Sequence, residues 1–187
     1  PSHDKANACL GFILTHREGR LGDALAHLRT SLSVNPDLLD AQRGFSLALQ
    51  RCANLTEYHA EIEGDLKFCF ELESMDVRDI AVPAAAQLLL KYDIPGSASM
   101  PLAQHLELIQ RMGVDELLVK YLGKARNLSS DFEILLTKVR AALLEIGRDE
   151  PKMSTESVRL AVALCLQGFI NEFVFSVGAE EKQLIEE

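Results

Sequence analysis

Residues 10–36 constrain the fold of this chain more than any other part of its sequence. Two segments with helical periodicity, residues 5–17 and 21–34, lie on either side of a turn that contains Gly19. A polar turn between two such segments is typical of a helical hairpin. Because one hairpin buries little apolar surface alone, it requires further helices stacked against it.

Small residues stand at corresponding places in the two segments of this hairpin. Gly11 and Ala24 carry little or no side chain, so we expect the two helices to approach closely there. Leu14 and Leu28 are placed to fill the space around that contact, and Pro36 ends the second helix. The sequence therefore predicts a tightly packed helix pair.

This pattern resembles the tetratricopeptide repeat. The match lies at Leu10-Gly11, at Ala24 and at Pro36, with one residue more than the strict repeat between Gly11 and Ala24. A helical hairpin outside this family is the alternative interpretation. Three aromatic positions of the repeat are occupied here by Asn7, Leu14 and Leu28, and the next unit matches poorly at Tyr58, Ile62 and Phe70.

The resemblance and the periodicity together predict an all-α fold. We expect a short array of tetratricopeptide-like hairpins in residues 1–73, packed on a helical bundle in residues 76–187. The bundle begins with a helix from Asp76 to Tyr92 that contains Pro83, which predicts a kink or a late start. A linker is expected at residues 93–99.

Several polar residues are predicted to cap helices, and one helix has a predicted buried face. Capping boxes are expected at Asn54 with Glu57 and at Ser130 with Glu133. Single caps are predicted at Asp76, Asp115 and Ser154 or Thr155, and Gly178 is predicted to end the last helix. The residues that the last helix is expected to bury are Val158, Ala161, Val162, Cys165, Phe169, Ile170 and Phe173.

Charge and composition exclude some classes of partner. Against 28 acidic residues there are 19 Lys and Arg, a net charge of −9, so neither a nucleic acid nor an anionic membrane is an expected partner. The apolar stretch at residues 160–177 is interrupted by Gln167, Asn171 and Glu172 and is too polar to span a bilayer. The four cysteines form no C-x-x-C, so we expect buried free thiols in a reducing cytoplasm.

The sequence shows no pattern for catalysis, metal binding or a cofactor. The five histidines lack metal-ligand spacing, and no nucleophile or phosphate-binding motif is present, so we predict a protein that is not itself an enzyme. Asn171-Glu172 is a polar pair inside an apolar run. It is either a ligand or interface contact or a structural pair, with Glu172 exposed or paired with a residue such as Arg159 or Lys138.

Residues 131–144 and 160–175 carry a second resemblance. They are similar to the helical region that joins tetratricopeptide repeats to a methyltransferase domain in certain bacterial multidomain proteins. No strand with a glycine-rich loop for S-adenosylmethionine is present, so the methyltransferase domain is not in this sequence. A start without Met and an end inside an apparent helix are consistent with a piece of such a protein.

In repeat arrays of this family the first helix of each pair lines a concave groove. The resemblance places a binding face for a protein or peptide here, with an apolar floor at Phe12 and Leu47 and a positive donor at Arg43. An acidic or C-terminal segment fits that chemistry, although Phe12 and Leu47 could instead pack on the following helices. The full set of candidate partner-binding residues is Phe12, His16, Arg43, Leu47 and Gln50.

The predicted function is therefore a non-catalytic interaction or regulatory scaffold from a larger protein that carries a methyltransferase. The alternative is an enzyme whose pocket is assembled from scattered helical residues.

Overall fold

A computed structural model describes residues 3–72, 74–93, 102–127, 129–149 and 153–171. These ranges contain α-helices, two short 3-10 turns and no strand, so the all-α prediction is confirmed. The helices are α1 (Asp4–Thr15), α2 (Leu21–Val34), α3 (Leu39–Ala53), α4 (His59–Glu71), α5 (Met75–Leu89), α6 (Leu102–Val114), α7 (Glu116–Lys124), α8 (Ser130–Asp149) and α9 (Thr155–Ile170).

The chain divides into two compact units, Pro1–Leu88 and Leu89–Glu187. The first unit contains α1 to α5 and the second contains α6 to α9. The division lies one helix later than the interval between residues 73 and 76 that the sequence suggests. Helix α5 continues through Pro83 from its start at Met75, so the expected late start does not occur. Most of the predicted linker lies outside the described residues.

The first unit is a stack of helical hairpins. Helix α1 packs against α2 and α3, and α2 packs against α3 and α4. Gly19 lies in the turn between α1 and α2 with a φ of 67°, a left-handed conformation that glycine adopts without strain. Helices α1 and α2 thus each contact the following helix and the next helix but one, as in a repeat array.

The stack closes around the side chain of Leu28 on α2. Leu28 is fully buried, and two glycines face it from different helices. A Cβ at Gly11 on α1 would lie 2.5 Å from Leu28 Cγ, and a Cβ at Gly44 on α3 would lie 2.8 Å from Leu28 Cδ2. Three helices therefore meet at one leucine because two of them have no side chain at the contact.

Polar bonds fix the two helices of the first hairpin. His27 Nδ1 is 2.9 Å from Asn7 Oδ1, at the position where the repeat would carry Trp. Ser31 Oγ donates to the carbonyl of Asp4 over 2.8 Å, and Asn35 Nδ2 donates to the carboxylate of Asp4 over 3.1 Å. Hydrogen bonds thus take the place of an aromatic contact at this end of the hairpin.

In the second unit, α9 packs against α6 and α7 and, less extensively, against α8. Gly113 on α6 lies close to the backbone of α9, since a Cβ there would overlap the carbonyl oxygen of Glu156. Near the other end of α9, Gln167 Nε2 donates to the carbonyl of Ala125 over 3.0 Å. These contacts determine which face of α9 points inward.

The predicted buried face of α9 is wrong. Val158 and Val162 are 47% and 55% exposed, Phe169 is 66% exposed, and Cys165 is also exposed. Ala161 and Ile170 are half-buried, and Phe173 lies outside the described residues. The inward face is more polar and includes small residues, which suit the close contact with α6 and α7. Its members are Ser157, Leu160, Ala163, Leu164, Gln167 and Gly168.

Two of the predicted helix caps are confirmed. Asp115 precedes α7, and its Oδ1 accepts a hydrogen bond of 3.1 Å from the backbone N–H of Leu118. Ser154 precedes α9, and its Oγ accepts one of 3.2 Å from the N–H of Ser157. Both bonds satisfy N–H groups that the first turn of a helix leaves without a helical partner.

The capping box at Asn54 and Glu57 is wrong. Asn54 closes α3 at its C-terminus, and a 3-10 turn at Thr56–Tyr58 comes before α4. His59 Nε2 lies 2.9 Å from the carbonyl oxygen of Ala53 and donates to it. Asn54 instead accepts a hydrogen bond of 2.8 Å from Gln87 Nε2 on α5.

Two further caps lie earlier than predicted. Ser129, not Ser130, accepts from the N–H of Phe132, over 3.3 Å. Ser74, not Asp76, accepts from the N–H of Val77, over 3.5 Å. In both places a serine outside the helix lies close to the predicted residue, so composition alone does not identify the cap.

Asp115 also joins α7 to the segment after α5. Its Oδ2 accepts a hydrogen bond of 2.7 Å from the hydroxyl of Tyr92 and lies 2.9 Å from Lys91 Nζ. Burial alone would raise the pKa of the carboxyl, but these donors and the N–H of Leu118 outweigh it and hold the pKa below its usual value. The carboxylate is therefore a stabilising group of the second unit at neutral pH.

The first prediction concerns the contact between Gly11 and Leu28. We expect Gly11→Ala to lower the free energy of unfolding by about 1–3 kcal/mol, because the new methyl group overlaps Leu28 and approaches the carbonyl of Ala24. Gly64→Ala is the matched control, because a Cβ there meets nothing within 4 Å and α4 should gain up to about 1 kcal/mol. Urea unfolding followed by circular dichroism measures both. Equal effects would contradict the close packing.

The second prediction concerns Asp115. A carboxyl with a lowered pKa in the folded state contributes stability above its unfolded pKa of about 4, and this is lost as the pH falls through the folded value. We expect Asp115→Asn to cost about 1 kcal/mol at pH 7, with the difference from wild type shrinking below pH ~4. Thermal unfolding of wild type and Asp115→Asn, measured from pH 7 to below pH ~4, tests this prediction. A difference independent of pH would show that the charge contributes nothing.

Candidate functional site

The predicted binding residues lie on α1 and α3 of the first unit. Phe12 is 46% exposed, and its Cδ2 atom lies 3.5 Å from the position of a Cβ at Gly44. The ring of Phe12 thus rests against the backbone of α3 while part of it faces solvent. This contact places Phe12 close to Arg43, the residue before Gly44.

Arg43 and Leu47 share one face of α3, since they are four residues apart. Arg43 is exposed and Leu47 is half-buried. Within the described residues, no carboxylate forms an ion pair with Arg43. A partly open apolar surface therefore lies beside a guanidinium group with five hydrogen-bond donors.

The two other predicted residues are exposed at the end of the same face. The imidazole of His16 lies 4.9 Å from the ring of Phe12, and its Nδ1 donates to the carbonyl of Phe12 over 3.0 Å. Gln50 Nε2 donates to Ser46 Oγ over 3.3 Å, and Ser46 Oγ in turn donates to the carbonyl of Ile80 over 3.4 Å. We call the surface of Phe12, His16, Arg43, Leu47 and Gln50 the α1–α3 face.

Two residues that the sequence analysis did not select hold this face in place. Gly44 allows Phe12 to approach α3 closely. Arg51 on α3 donates to the carbonyl of Thr15, and Thr15 Oγ1 donates to the carbonyl of Gly11 over 2.9 Å. The C-terminal turn of α1 is thereby bonded to α3, which fixes the spacing between the two helices that form the face.

A second candidate is a cleft of about 100 Å³ between α6 and α8. Its floor is apolar and buried, with Ile109 and Met112 on α6 and Val139 on α8. On its rim, Lys138 pairs with Asp93 over 2.7 Å. The volume suits one large apolar side chain or a small ring. The complete lining is Tyr92, His105, Leu108, Ile109, Met112, Leu135, Lys138, Val139, Ala141, Ala142 and Glu145.

The cysteines fall into two classes. Cys52 and Cys69 are fully buried, and burial, with smaller contributions from nearby carboxylates, raises the pKa of Cys52 to about 11 and raises that of Cys69 as well. Their thiols are unreactive because the thiolate is the nucleophilic form. The prediction of burial is wrong for Cys9 and Cys165, which are exposed.

The polar pair near the end of α9 has a structural contact at Asn171. Its Oδ1 accepts a hydrogen bond of 3.0 Å from the backbone N–H of Asn127. Asn127 Oδ1 also accepts from the hydroxyl of Tyr121 and from the N–H of Ser129, each over 3.0 Å. Asn171 thus joins the end of α9 to the segment that follows α7, and Glu172 lies outside the described residues.

Within the described ranges, no three His, Cys, Asp or Glu side chains converge as a metal site. None of the helices described combines the length and the apolar character that crossing a membrane requires.

Comparison with known proteins gives no relative for this chain: no family model matches it, and neither a curated protein nor a solved structure shows significant similarity to it. The resemblances to tetratricopeptide repeats and to methyltransferase-linked helices therefore stay predictions.

A third prediction separates Phe12 from the core. We expect Phe12→Ala to lower the free energy of unfolding by about 1 kcal/mol, because Phe12 is already 46% exposed. Leu28→Ala, at a fully buried position, should cost about 2–5 kcal/mol. Because the chain has no Trp, circular dichroism in urea is the suitable measurement. A cost for Phe12→Ala equal to that for Leu28→Ala would make Phe12 a core residue.

Proposed function

We propose that the first unit is a protein-interaction scaffold that binds a peptide segment of a partner on the α1–α3 face. The observation that carries this proposal is the position of Phe12, a large aromatic side chain that is 46% exposed and lies against α3 at Gly44. Partly exposed aromatic and Arg side chains on a rigid support are frequent anchors of binding.

The chemistry of the face favours an acidic or C-terminal segment. Arg43 offers a planar set of donors that suits a carboxylate, and Phe12 and Leu47 offer apolar contact on the same face. His16 and Gln50 add polar groups at one end. Asp40 is also exposed on α3, and its negative charge repels other carboxylates. We therefore expect binding to depend on the position of the carboxylate in the peptide and not on the total negative charge of the peptide.

The wider setting follows from the resemblances. We propose that the chain is a non-catalytic regulatory part of a cytoplasmic bacterial protein that also carries a methyltransferase. The second candidate function is an enzyme, and the cleft between α6 and α8 is the observation that favours it. In that cleft the polar side chains of His105, Lys138 and Glu145 lie beside the apolar floor. A small-molecule substrate would then bind in the second unit.

The fourth prediction tests the binding face with synthetic peptides. The probes are fluorescein-labelled octapeptides with an apolar residue beside a C-terminal carboxylate, compared with the same peptides as C-terminal amides. We expect the free-acid peptides to bind, with affinity falling as salt rises, and Arg43→Glu to weaken binding at least about tenfold. Fluorescence anisotropy measures the affinity.

Arg111→Glu is the matched control, since it makes the same charge change at an exposed position on α6. It should leave binding within about twofold of wild type, because Arg111 is not a member of the α1–α3 face. The melting temperature of both variants should stay near that of wild type. Equal affinity of Arg43→Glu and wild type for every peptide would refute the proposed face.

A further inference from the structure

The outward face of α9 is unusual because it is more apolar than the face that packs inward. Val158, Val162 and Leu166 are 47%, 55% and 47% exposed, and they repeat every four residues along the helix. The buried face instead includes Ser157 and Gln167. A surface helix of a soluble unit normally has the opposite arrangement, so this face is suited to cover by another surface.

The exposed residues form one continuous arc, which we call the α9 arc. With about 100° per residue, they span roughly 120° of the helix surface. Val162 lies at the middle of the arc, both along the helix and around it. The exposed members, in order, are Thr155, Val158, Arg159, Val162, Cys165, Leu166 and Phe169.

We propose that the α9 arc is a self-association surface on which a second copy of this chain binds, α9 against α9. Helix pairs pack commonly by interlocking rows of residues spaced by four, and the row from Val158 to Leu166 has that spacing. A second copy presents the identical row, so one surface provides both halves of a two-fold interface.

The charge distribution agrees with a second copy as the occupant. The chain carries a net charge of −9, yet the α9 arc contains no acidic residue. Its one charged member, Arg159, lies at the edge and donates to the carbonyl of Gly113 over 3.4 Å. The arcs of two copies can therefore meet without placing carboxylates of the arc against each other, and the repulsion that remains between the acidic chains is long-range.

The area of the arc is small for a protein–protein interface. Each half-exposed apolar side chain offers on the order of 100 Å², so two copies would bury roughly 800 Å² between their α9 helices. Stable interfaces bury about 1,200 Å² or more. We therefore expect a weak, reversible dimer, strengthened by salt because salt screens the repulsion.

Sedimentation of the full chain from about 10 μM to about 1 mM tests the proposal, a range chosen to bracket a weak dimer. Wild type should pass from monomer to dimer over this range. Val162→Asp should raise the dissociation constant of the dimer at least about tenfold, because a buried unpaired carboxylate is costly. Val34→Asp is the control, since Val34 is 51% exposed in the first unit, and it should dimerise like wild type. Arg43→Glu should do the same, which separates this surface from the α1–α3 face.

Cross-linking provides a second measurement that does not need a destabilising change. In a Cys9→Ser, Cys165→Ser background only buried Cys52 and Cys69 remain, and Val162→Cys adds one thiol at the centre of the arc. A short bis-maleimide should link two such chains at Val162, because the residue nearest a two-fold axis meets its own copy. A chain whose only exposed thiol is Cys9 is the control. A monomer at all concentrations, or a dimer unchanged by Val162→Asp, would overturn the proposal.

Discussion

The contact of Leu28 with two glycines is the constraint on which the first unit depends. A leucine side chain fills the space that Gly11 and Gly44 leave, so α1, α2 and α3 meet closer than residues with a Cβ would allow. The same close approach leaves Phe12 no room between the helices. Its ring lies across the backbone of α3 instead, with part of its surface in water. The packing of the core thus produces the candidate binding face.

The first hairpin could be predicted from sequence because its determinants are local. Gly11, Ala24 and Leu28 lie within one repeat-length segment, and the turn at Gly19 requires a residue that tolerates a positive φ. Gly44 was missed for the opposite reason. Nothing near it in sequence shows that its partner is Leu28, since that contact exists only after α3 has packed on α2. The side chains of the α1–α3 face are therefore predictable from sequence, whereas the contact that positions them is not.

The caps show the same limit at the scale of one turn. Asp115 is the one suitable residue just before α7, whereas before α9 the sequence leaves Ser154 and Thr155 as alternatives and the structure selects Ser154. At Ser129-Ser130 two neighbouring hydroxyls compete, and the start of the helix decides between them. After α3, the chain forms a 3-10 turn, and His59 satisfies the carbonyl of Ala53. A capping pattern thus indicates that a helix begins nearby, while tertiary contacts fix the residue.

Helix α9 shows why hydrophobic periodicity can select the wrong face. Periodicity identifies the face that avoids water, and it equates that face with the interior of the same unit. In α9 the close approach of α6 determines which face points inward. Gly113 on α6 lies against the backbone of α9 at Glu156, which leaves little space there for branched side chains. Gln167 is accepted inside because the carbonyl of Ala125 binds its amide. Valines 158 and 162 then have only the outer surface left, so the residues that fill a core elsewhere become a contact surface here.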